Sequence, residues 1–235
     1  MTGADAARAA SGAAEVAALA ALLGDRTRAA ICLHLLDGRA WTAGELARAT
    51  AVSPATTSEH LDRLVSGGLL TEERQGRHRY VRLSGPDAAH LVELLAAHAR
   101  PGAVPASYAA VRSELAAGRT CYDHLAGRLG VDLLDALERR GVVSRVDGVA
   151  LTAAGADRLA DLGIDVDAIR GSRRPVARLC LDWTERRSHL AGGVGAALCA
   201  VFLDRGWIRR GSGRAIAVTD AGRGALFTEF GLRAD

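Results

Sequence analysis

Apolar residues at spacings of three and four predict five helices in the first hundred positions, separated by short polar breaks. The predicted helices cover residues 15–23, 27–36, 42–50, 53–66 and 86–98. Thr42 followed by Glu45 forms a capping box, and Ser53 followed by Pro54 is typical of a helix start. Two β-rich segments, 69–72 and 80–83, predict strands on either side of a polar turn. Three close helices followed by a hairpin predict a winged helix-turn-helix.

The second half of the chain contains an internal repeat. The tetrad His-Leu-Ala-Gly begins at His124 and again at His189, an offset of 65 residues, and Gly141 and Gly206 keep this offset. Each copy is expected to fold as helix, turn, helix, hairpin and helix, with a threonine capping the closing helix. The predicted fold class is therefore mainly α with short β-hairpins (α+β), a winged helix-turn-helix followed by two degenerate winged-helix-like repeats.

These patterns divide the chain into two domains. Residues 1–100 are expected to form the winged helix-turn-helix domain, and the segment 101–106, which contains Pro and Gly, is typical of a linker. Residues 107–235 are expected to form a C-terminal domain, with the two repeats at about 120–165 and 185–235. The second helix expected in each repeat is short, so DNA reading is assigned to the N-terminal domain.

Composition excludes several classes of protein. Hydrophobic residues make up 49% and charged residues 24% of the 235 residues, which excludes disorder across most of the chain. All 30 basic residues are arginine, and the net charge of +3 permits nucleic-acid binding without requiring it. No apolar run reaches the roughly 18 residues of a membrane span, so no membrane partner is expected. The four cysteines form no CxxC pair, which favours free thiols in a reducing cytoplasm.

Three segments near the N-terminus match a known pattern. They read LLGDRTR at 22–28, TAGELA at 42–47 and VSPATTSEHLDRL at 52–64. With these motifs, residues 15–100 resemble the ArsR/SmtB family of bacterial winged-helix repressors. The resemblance implies a homodimer, with its interface on the first helix and helix 86–98, and repression of a neighbouring gene that a small inducer relieves. Residues 44–50 lack the Cys-x-Cys pair that metal-sensing members carry, so the founding metal site of the family is absent.

The recognition helix and the wing supply the candidate contacts to double-stranded DNA. Hydroxyl and imidazole groups can reach phosphates and base edges, and an arginine can read guanine with two hydrogen bonds. Basic residues in the wing would hold phosphates or enter the minor groove. A solvated helix face is the plain alternative, but the capped turn and the basic wing together favour DNA contact. The candidates are Ser53, Thr56, Thr57, Ser58, His60, Arg63, Arg77, His78 and Arg79.

A cysteine, an aspartate and a histidine recur at matching places in the two repeats. Thiolate and imidazole suit Zn(II) or a softer thiophilic ion, which would be the cofactor or inducer of such a site. Core packing is the competing interpretation, because cysteine is among the most commonly buried residues. Cys32 and Cys199 lie on apolar stripes and are expected to be packing residues. The candidate metal or sensor residues are Cys121, Asp123, His124, Cys180, Asp182 and His189.

The first of three functions left open is a sequence-specific repressor, released from its operator by a small inducer, metal or redox signal sensed in the C-terminal half. The second is an enzyme in which a histidine activates Cys121 or Cys180 as a nucleophile. No enzyme is expected, because repeated helix-turn-helix units offer no deep cleft. The third is an architectural DNA binder that uses all three winged units. A pocket of Trp183, Arg186 and Arg187 for an anionic aromatic ligand competes with simple packing of the two copies.

Overall fold

The computed structural model describes residues 3–76, 78–99 and 109–233, which divide into two compact units. The first unit extends to Val92, and the second contains residues 93–99 together with the chain from Ala110 onward. The division falls within the helix predicted at 86–98. The linker predicted at 101–106 lies outside the described residues.

The first unit is a winged helix-turn-helix, as the hydrophobic pattern predicts. Its three strands form one antiparallel sheet in the order β1-β3-β2. The pattern does not predict β1, a two-residue strand that pairs with β3. The elements are α1 (Gly3–Leu23), α2 (Arg26–His34), a 3-10 turn (Leu35–Asp37), β1 (Trp41–Thr42), α3 (Ala43–Thr50), α4 (Pro54–Ser66), β2 (Leu70–Gln75), β3 (His78–Leu83) and α5 (Pro86–His98), which continues into the second unit.

Local capping fixes where the two helices of the helix-turn-helix begin. The Glu45 amide donates to Thr42 Oγ1 at 3.2 Å, and the Thr42 amide donates to Glu45 Oε2 at 2.7 Å, so the predicted capping box is confirmed. Ser53 accepts a hydrogen bond from the Thr56 amide at 3.2 Å, with Pro54 at the first helical position. These caps hold α3 and α4 on either side of a tight turn.

The second unit contains two copies of the order hairpin, helix, hairpin, helix. Thr152 and Thr219 cap the closing helices as predicted, by accepting from the amides of Gly155 and Gly222. After α6 (Ala109–Ala117), the first copy contains β4 (Arg119–Cys121), β5 (His124–Ala126), α7 (Gly127–Arg139), β6 (Val143–Ser144), β7 (Ala150–Leu151) and α8 (Ala153–Asp161). After α9 (Val166–Gly171), the second copy contains β8 (Arg178–Leu181), β9 (Ser188–Ala191), α10 (Gly192–Asp204), β10 (Ile208–Arg210), β11 (Ile216–Val218) and α11 (Asp220–Phe230).

The prediction that each copy begins with a helix-turn-helix is wrong, because the first three residues of the His-Leu-Ala-Gly tetrad lie in a strand. His124–Ala126 pairs with β4, and the corresponding residues of β9 pair with β8. Every residue of β5 is buried, and a short run buried on both faces has no alternation that distinguishes a strand from a helix. Gly127 and Gly192 adopt φ values of +74° and +85°, which turn the chain from each hairpin into the next helix.

The two copies pack reciprocally around one hydrophobic core. Helix α7 contacts β9 of the other copy, α10 contacts β5, and β5 contacts β9. Leu134, Val194 and Phe202 are fully buried in this core. The predicted class, mainly α with short hairpins, is confirmed. Within the described ranges, no helix is both long and apolar enough to cross a membrane.

Candidate DNA-binding surface and buried cysteine-histidine cluster

Helix α4 presents a polar outer face. Ser53, Thr56 and Arg63 are exposed, and Ser58 is partly exposed. The opposite face buries Leu61 and Leu64 in the core of the first unit. Four of the six residues predicted on this helix therefore lie where a DNA duplex could reach them.

Thr57 does not face outward, so this part of the prediction is wrong. Its side chain is 0% exposed, because it occupies the same stripe of the helix as Leu61 and Leu64. The sequence carried a signal for this burial, because Thr57 lies four residues before Leu61 and therefore on the same face of the helix. His60 is also largely covered: its side chain is 14% exposed, and Nδ1 lies 3.7 Å from Oδ1 of Asp25, the N-cap residue of α2.

The wing differs from the prediction in its use of Arg79. Nη1 of Arg79 lies 2.7 Å from Oδ1 of Asp62 on α4, and Arg79 also pairs with Glu72 on β2. Its side chain is only 17% exposed, so Arg79 joins the wing to α4 instead of facing solvent as an open cation. Arg74, which the sequence prediction missed, has a side chain 75% exposed. His78 is exposed at the start of β3, and Arg77 lies outside the described residues.

In the second unit, two cysteines and two histidines from the two copies converge. Cys121 pairs in register with His124 across the β4–β5 hairpin, and Cys180 pairs in the same way with His189 across β8–β9. The ligand atoms of these four side chains all lie within 4.8 Å of one another. All four residues are buried. The group, hereafter the Cys2His2 cluster, therefore contains the thiols and imidazoles that the repeat singles out.

Each histidine of the cluster has a carboxylate beside Nδ1. Oδ1 of Asp123 lies 3.4 Å from Nδ1 of His124, and Oδ2 of Asp182 lies 3.2 Å from Nδ1 of His189. This leaves the two Nε2 atoms facing each other at 3.2 Å. The structure thus brings all six candidate sensor residues into one site.

Two glycines allow the histidines to approach. A Cβ built on Gly130 would lie 2.4 Å from the Leu125 carbonyl oxygen and 3.4 Å from the Cβ of His189. A Cβ on Gly195 would likewise lie 3.3 Å from the Cβ of His124. The sequence carries this signal as His-Leu-Ala-Gly-x-x-Gly in both copies, but the repeat analysis stopped at the tetrad.

A network of buried charges surrounds the cluster. Arg119, which is fully buried, donates to Asp182 Oδ2 at 3.1 Å, and its Nε lies 3.6 Å from Oε1 of Glu93. Glu93, on α5, accepts from Arg214 at 2.7 Å and from the Trp183 indole at 3.1 Å. Trp183 is therefore enclosed and does not line an open pocket for an aromatic ligand. The sequence prediction missed Glu93 and Arg119.

The surroundings of Cys180 shift its thiol pKa in the opposite direction from those of the packing cysteines Cys32 and Cys199. Contact with Cys121 lowers the pKa of Cys180 against the opposing effect of burial. Burial also disfavours a charged His189, but contacts with Asp182 and Cys121 outweigh it and raise the pKa of His189. By contrast, burial raises the pKa of Cys32 to about 12 and that of Cys199 to about 11. The last two thiols remain protonated, as expected for packing residues.

The first unit defines the class of the protein: a winged helix-turn-helix is a DNA-binding module of transcriptional regulators. A family model described as a helix-turn-helix domain matches residues 23–73, which contain both α3 and α4. A relative from Bacillus subtilis (strain 168), the uncharacterized HTH-type transcriptional regulator YdfF, is 42% identical over 212 residues. That match covers 88% of this chain and 93% of the relative. The chain belongs to the HTH-type transcriptional regulators.

Several solved structures are also similar to this chain. The homodimeric winged helix-turn-helix domain of Mb0332 from Mycobacterium bovis, a possible ArsR-family regulator, is 34% identical, covering 37% of this chain and 81% of that chain, with a TM-score of 0.35. The transcriptional repressor BigR from Xylella fastidiosa is 29% identical, covering 40% of this chain and 93% of that chain, with a TM-score of 0.34.

Proposed function

We propose that this regulator is a repressor that binds its operator as a homodimer and is released by a signal sensed in the second unit. The observation that carries the DNA-binding part is the capped α3–α4 pair, with the polar outer face of α4 beside a β-wing. In this arrangement the second helix enters the major groove, and the wing contacts the phosphates.

The candidate base contacts are Ser53, Thr56, Ser58 and Arg63 on the exposed side of α4. Arg63 carries the only long cationic side chain of this set, and it can donate two hydrogen bonds to guanine. Phosphate contacts are assigned to exposed polar side chains of the wing, Arg74 and Arg82 on the two strands and His78 beside the turn. Thr57 is withdrawn from the DNA contacts because it is buried.

The homodimer is supported by apolar side chains that the single chain leaves exposed. Val16 on α1 is 69% exposed, and Leu95 on α5 is 51% exposed. The resemblance to ArsR/SmtB repressors assigns these two helices to the dimer interface. A two-fold axis would then place two copies of α4 in successive major grooves about 34 Å apart.

A regulatory role for the second unit is supported by the burial of its thiols. Cys121 and Cys180 are enclosed, so a substrate would have no access to them as nucleophiles, which favours sensing over the enzyme alternative. Helices α7 and α10 bury residues along their length in the core of the second unit, which disfavours an architectural protein that reads DNA with all three units.

DNA binding is tested by fluorescence anisotropy with duplexes from the region upstream of the regulator's own gene. Arg63→Ala should weaken binding to the specific site by about 1–3 kcal/mol and leave non-specific binding much less affected. Arg173→Ala, which removes an exposed arginine of the second unit, is the matched control. Equal loss of specific and non-specific affinity in Arg63→Ala would contradict base reading by α4.

A further inference from the structure

We propose that Cys121, His124, Cys180 and His189 form a tetrahedral site for one divalent thiophilic ion of the Zn(II) class, held between the two copies of the repeat. The role of this ion as the sensed signal rests on the proposed function, whereas the site itself is argued from the geometry of the second unit. Zn(II) is characteristically held by two thiolates and two imidazoles in tetrahedral structural sites.

The spacing of the four ligand atoms fits such an ion. An ion bonded to two imidazole nitrogens at about 2.0–2.1 Å in tetrahedral geometry would hold them about 3.3–3.4 Å apart. The Nε2 atoms of His124 and His189 are 3.2 Å apart, and one ligand atom from each of the four side chains lies within 4.8 Å of the other three. The four groups therefore converge on one point from two hairpins.

The carboxylates beside the histidines explain why both Nε2 atoms point inward. An imidazole whose Nδ1 faces a carboxylate keeps its proton on Nδ1 and offers the lone pair of Nε2 as a ligand. Nδ1 of His124 hydrogen-bonds Oδ1 of Asp123 in this way, whereas Nδ1 of His189 lies 3.2 Å from Oδ2 of Asp182 as a close ion-pair contact. Two lone pairs facing each other at 3.2 Å repel, so the arrangement requires a proton or a cation between them. A disulfide between the cysteines would leave this pairing of imidazoles unexplained.

The charges around the site favour a divalent ion. The carboxylates of Glu93 and Asp182 are matched by the guanidinium groups of Arg119 and Arg214. Asp123 is likewise matched by Arg174, whose Nη2 donates to it at 2.8 Å. Two thiolates would then add two negative charges in a buried place, and an M(II) ion neutralises them completely. A monovalent ion would leave one buried negative charge uncompensated.

The structure also indicates how the ion acts on the rest of the second unit. Sγ of Cys121 donates to Oε2 of Glu93 at 3.6 Å. Metal binding removes the thiol proton and with it this hydrogen bond, so Glu93 must find a new arrangement with Arg119 and Arg214. Glu93 belongs to α5, which is continuous with the first unit along the chain. Metal binding therefore perturbs the helix that links the sensing unit to the DNA-binding unit.

The site is tested on the full-length protein after chelator treatment, with Co(II) as a spectroscopic probe and Zn(II) as competitor. We expect one Co(II) per chain, with the intense ligand-field bands of a tetrahedral complex and thiolate charge-transfer bands, all removed by Zn(II). Cys121→Ser and Cys180→Ser should lose most of the charge-transfer intensity. Cys199→Ala, which removes a buried thiol of the same unit, should keep it. The weak spectrum of octahedral Co(II), or full bands in both serine variants, would overturn the proposal.

A second measurement needs no substitution in the site and covers the case in which a serine variant fails to fold. Pulsed alkylation of the wild-type protein in mild urea, which opens the buried thiols to the reagent, should show that Zn(II) slows the reaction of Cys121 and Cys180 far more than that of Cys32 and Cys199. Equal rates with and without Zn(II) would refute the site. A Cys121–Cys180 disulfide that forms without any metal binding would also refute it and would indicate a redox switch.

The role of Asp123 gives a graded test. Asp123→Asn keeps the shape of the side chain but weakens its hold on His124, so Zn(II) affinity should fall about 10–100-fold. Asp123 is partly exposed, and circular dichroism should show an unchanged fold. Asp167→Asn, at an exposed carboxylate elsewhere in the unit, should bind Zn(II) like the wild type. Equal Zn(II) affinities in the two variants would rule out a positioning role for Asp123.

DNA binding with and without Zn(II) separates the two proposals. If the ion is the releasing signal, Zn(II) should lower operator affinity by about 5–150-fold. Stoichiometric Zn(II) binding with unchanged operator affinity would leave the metal site intact and refute the role of this ion as the releasing signal. If the wild-type protein binds its operator normally but does not bind Zn(II), the metal site is refuted and the DNA-binding proposal stands.

Discussion

Replacing Arg74 and Arg79 separately tests how the wing contacts DNA. Arg79 already pairs with Asp62 and Glu72 within the first unit, so its charge is largely compensated there. Arg74 is 75% exposed, and its Nε lies 3.9 Å from the nearest carboxylate oxygen of Glu72, at the limit of an ion pair. We therefore expect Arg74→Ala to remove a phosphate contact, whereas Arg79→Ala should leave the number of phosphate contacts unchanged.

The two variants differ in a measurable quantity, the slope of log K against log salt concentration. Each neutralised phosphate contributes about 0.9 to this slope, so one contact fewer reduces the loss of affinity between about 50 and 200 mM salt by about 3.5-fold. Arg79→Ala should instead lower the stability of the first unit, because it removes two partly exposed ion pairs of about 0.2–1 kcal/mol each. Its DNA affinity should fall at every salt concentration, with an unchanged slope.

Fluorescence anisotropy with a labelled duplex at several salt concentrations measures both effects. A slope reduced by about 0.9 in Arg79→Ala and unchanged in Arg74→Ala would refute this assignment of the wing.

Three further substitutions test separate parts of the fold. Thr57→Val should keep DNA affinity and raise the free energy of unfolding by about 1 kcal/mol. The reason is that Thr57 Oγ1 is buried without a hydrogen-bond partner among the described residues. A loss of DNA affinity in the anisotropy assay would contradict the burial of Thr57. Gly130→Ala should cost about 1–3 kcal/mol in urea denaturation, since the added Cβ would overlap the Leu125 carbonyl. Gly224→Ala, where a Cβ meets open space, is the control, and equal stabilities would exclude the close approach. Hydrogen bonds from the Thr42 amide and hydroxyl hold the pKa of the Glu45 carboxyl below its usual 4.5. The stability that these hydrogen bonds contribute is complete above pH 4.5 and is lost as the pH falls through the lower pKa of the folded state. Glu45→Gln should remove this acid dependence, and an acid-unfolding curve like that of the wild type would show that the capping box does not contribute.

The sequence alone determined the features that depend on neighbouring residues. The caps at Thr42 and Ser53 join groups three residues apart, and the helix predicted at 86–98 has the bounds of α5. Helix periodicity and capping act within one or two turns, so they are readable without any knowledge of the fold. The repeat was equally visible, because two copies of one motif need only be compared with each other.

Only the tertiary structure decided which of these residues meet. Arg79 was expected to face DNA, but packing of the wing against α4 places it beside Asp62, 17 positions earlier in the chain. His124 and His189 are 65 positions apart, and their contact depends on the reciprocal packing of hairpins and helices around Gly130 and Gly195. The sequence identified the chemistry of the cluster, but convergence required close backbone approach between distant segments, which no local spacing encodes.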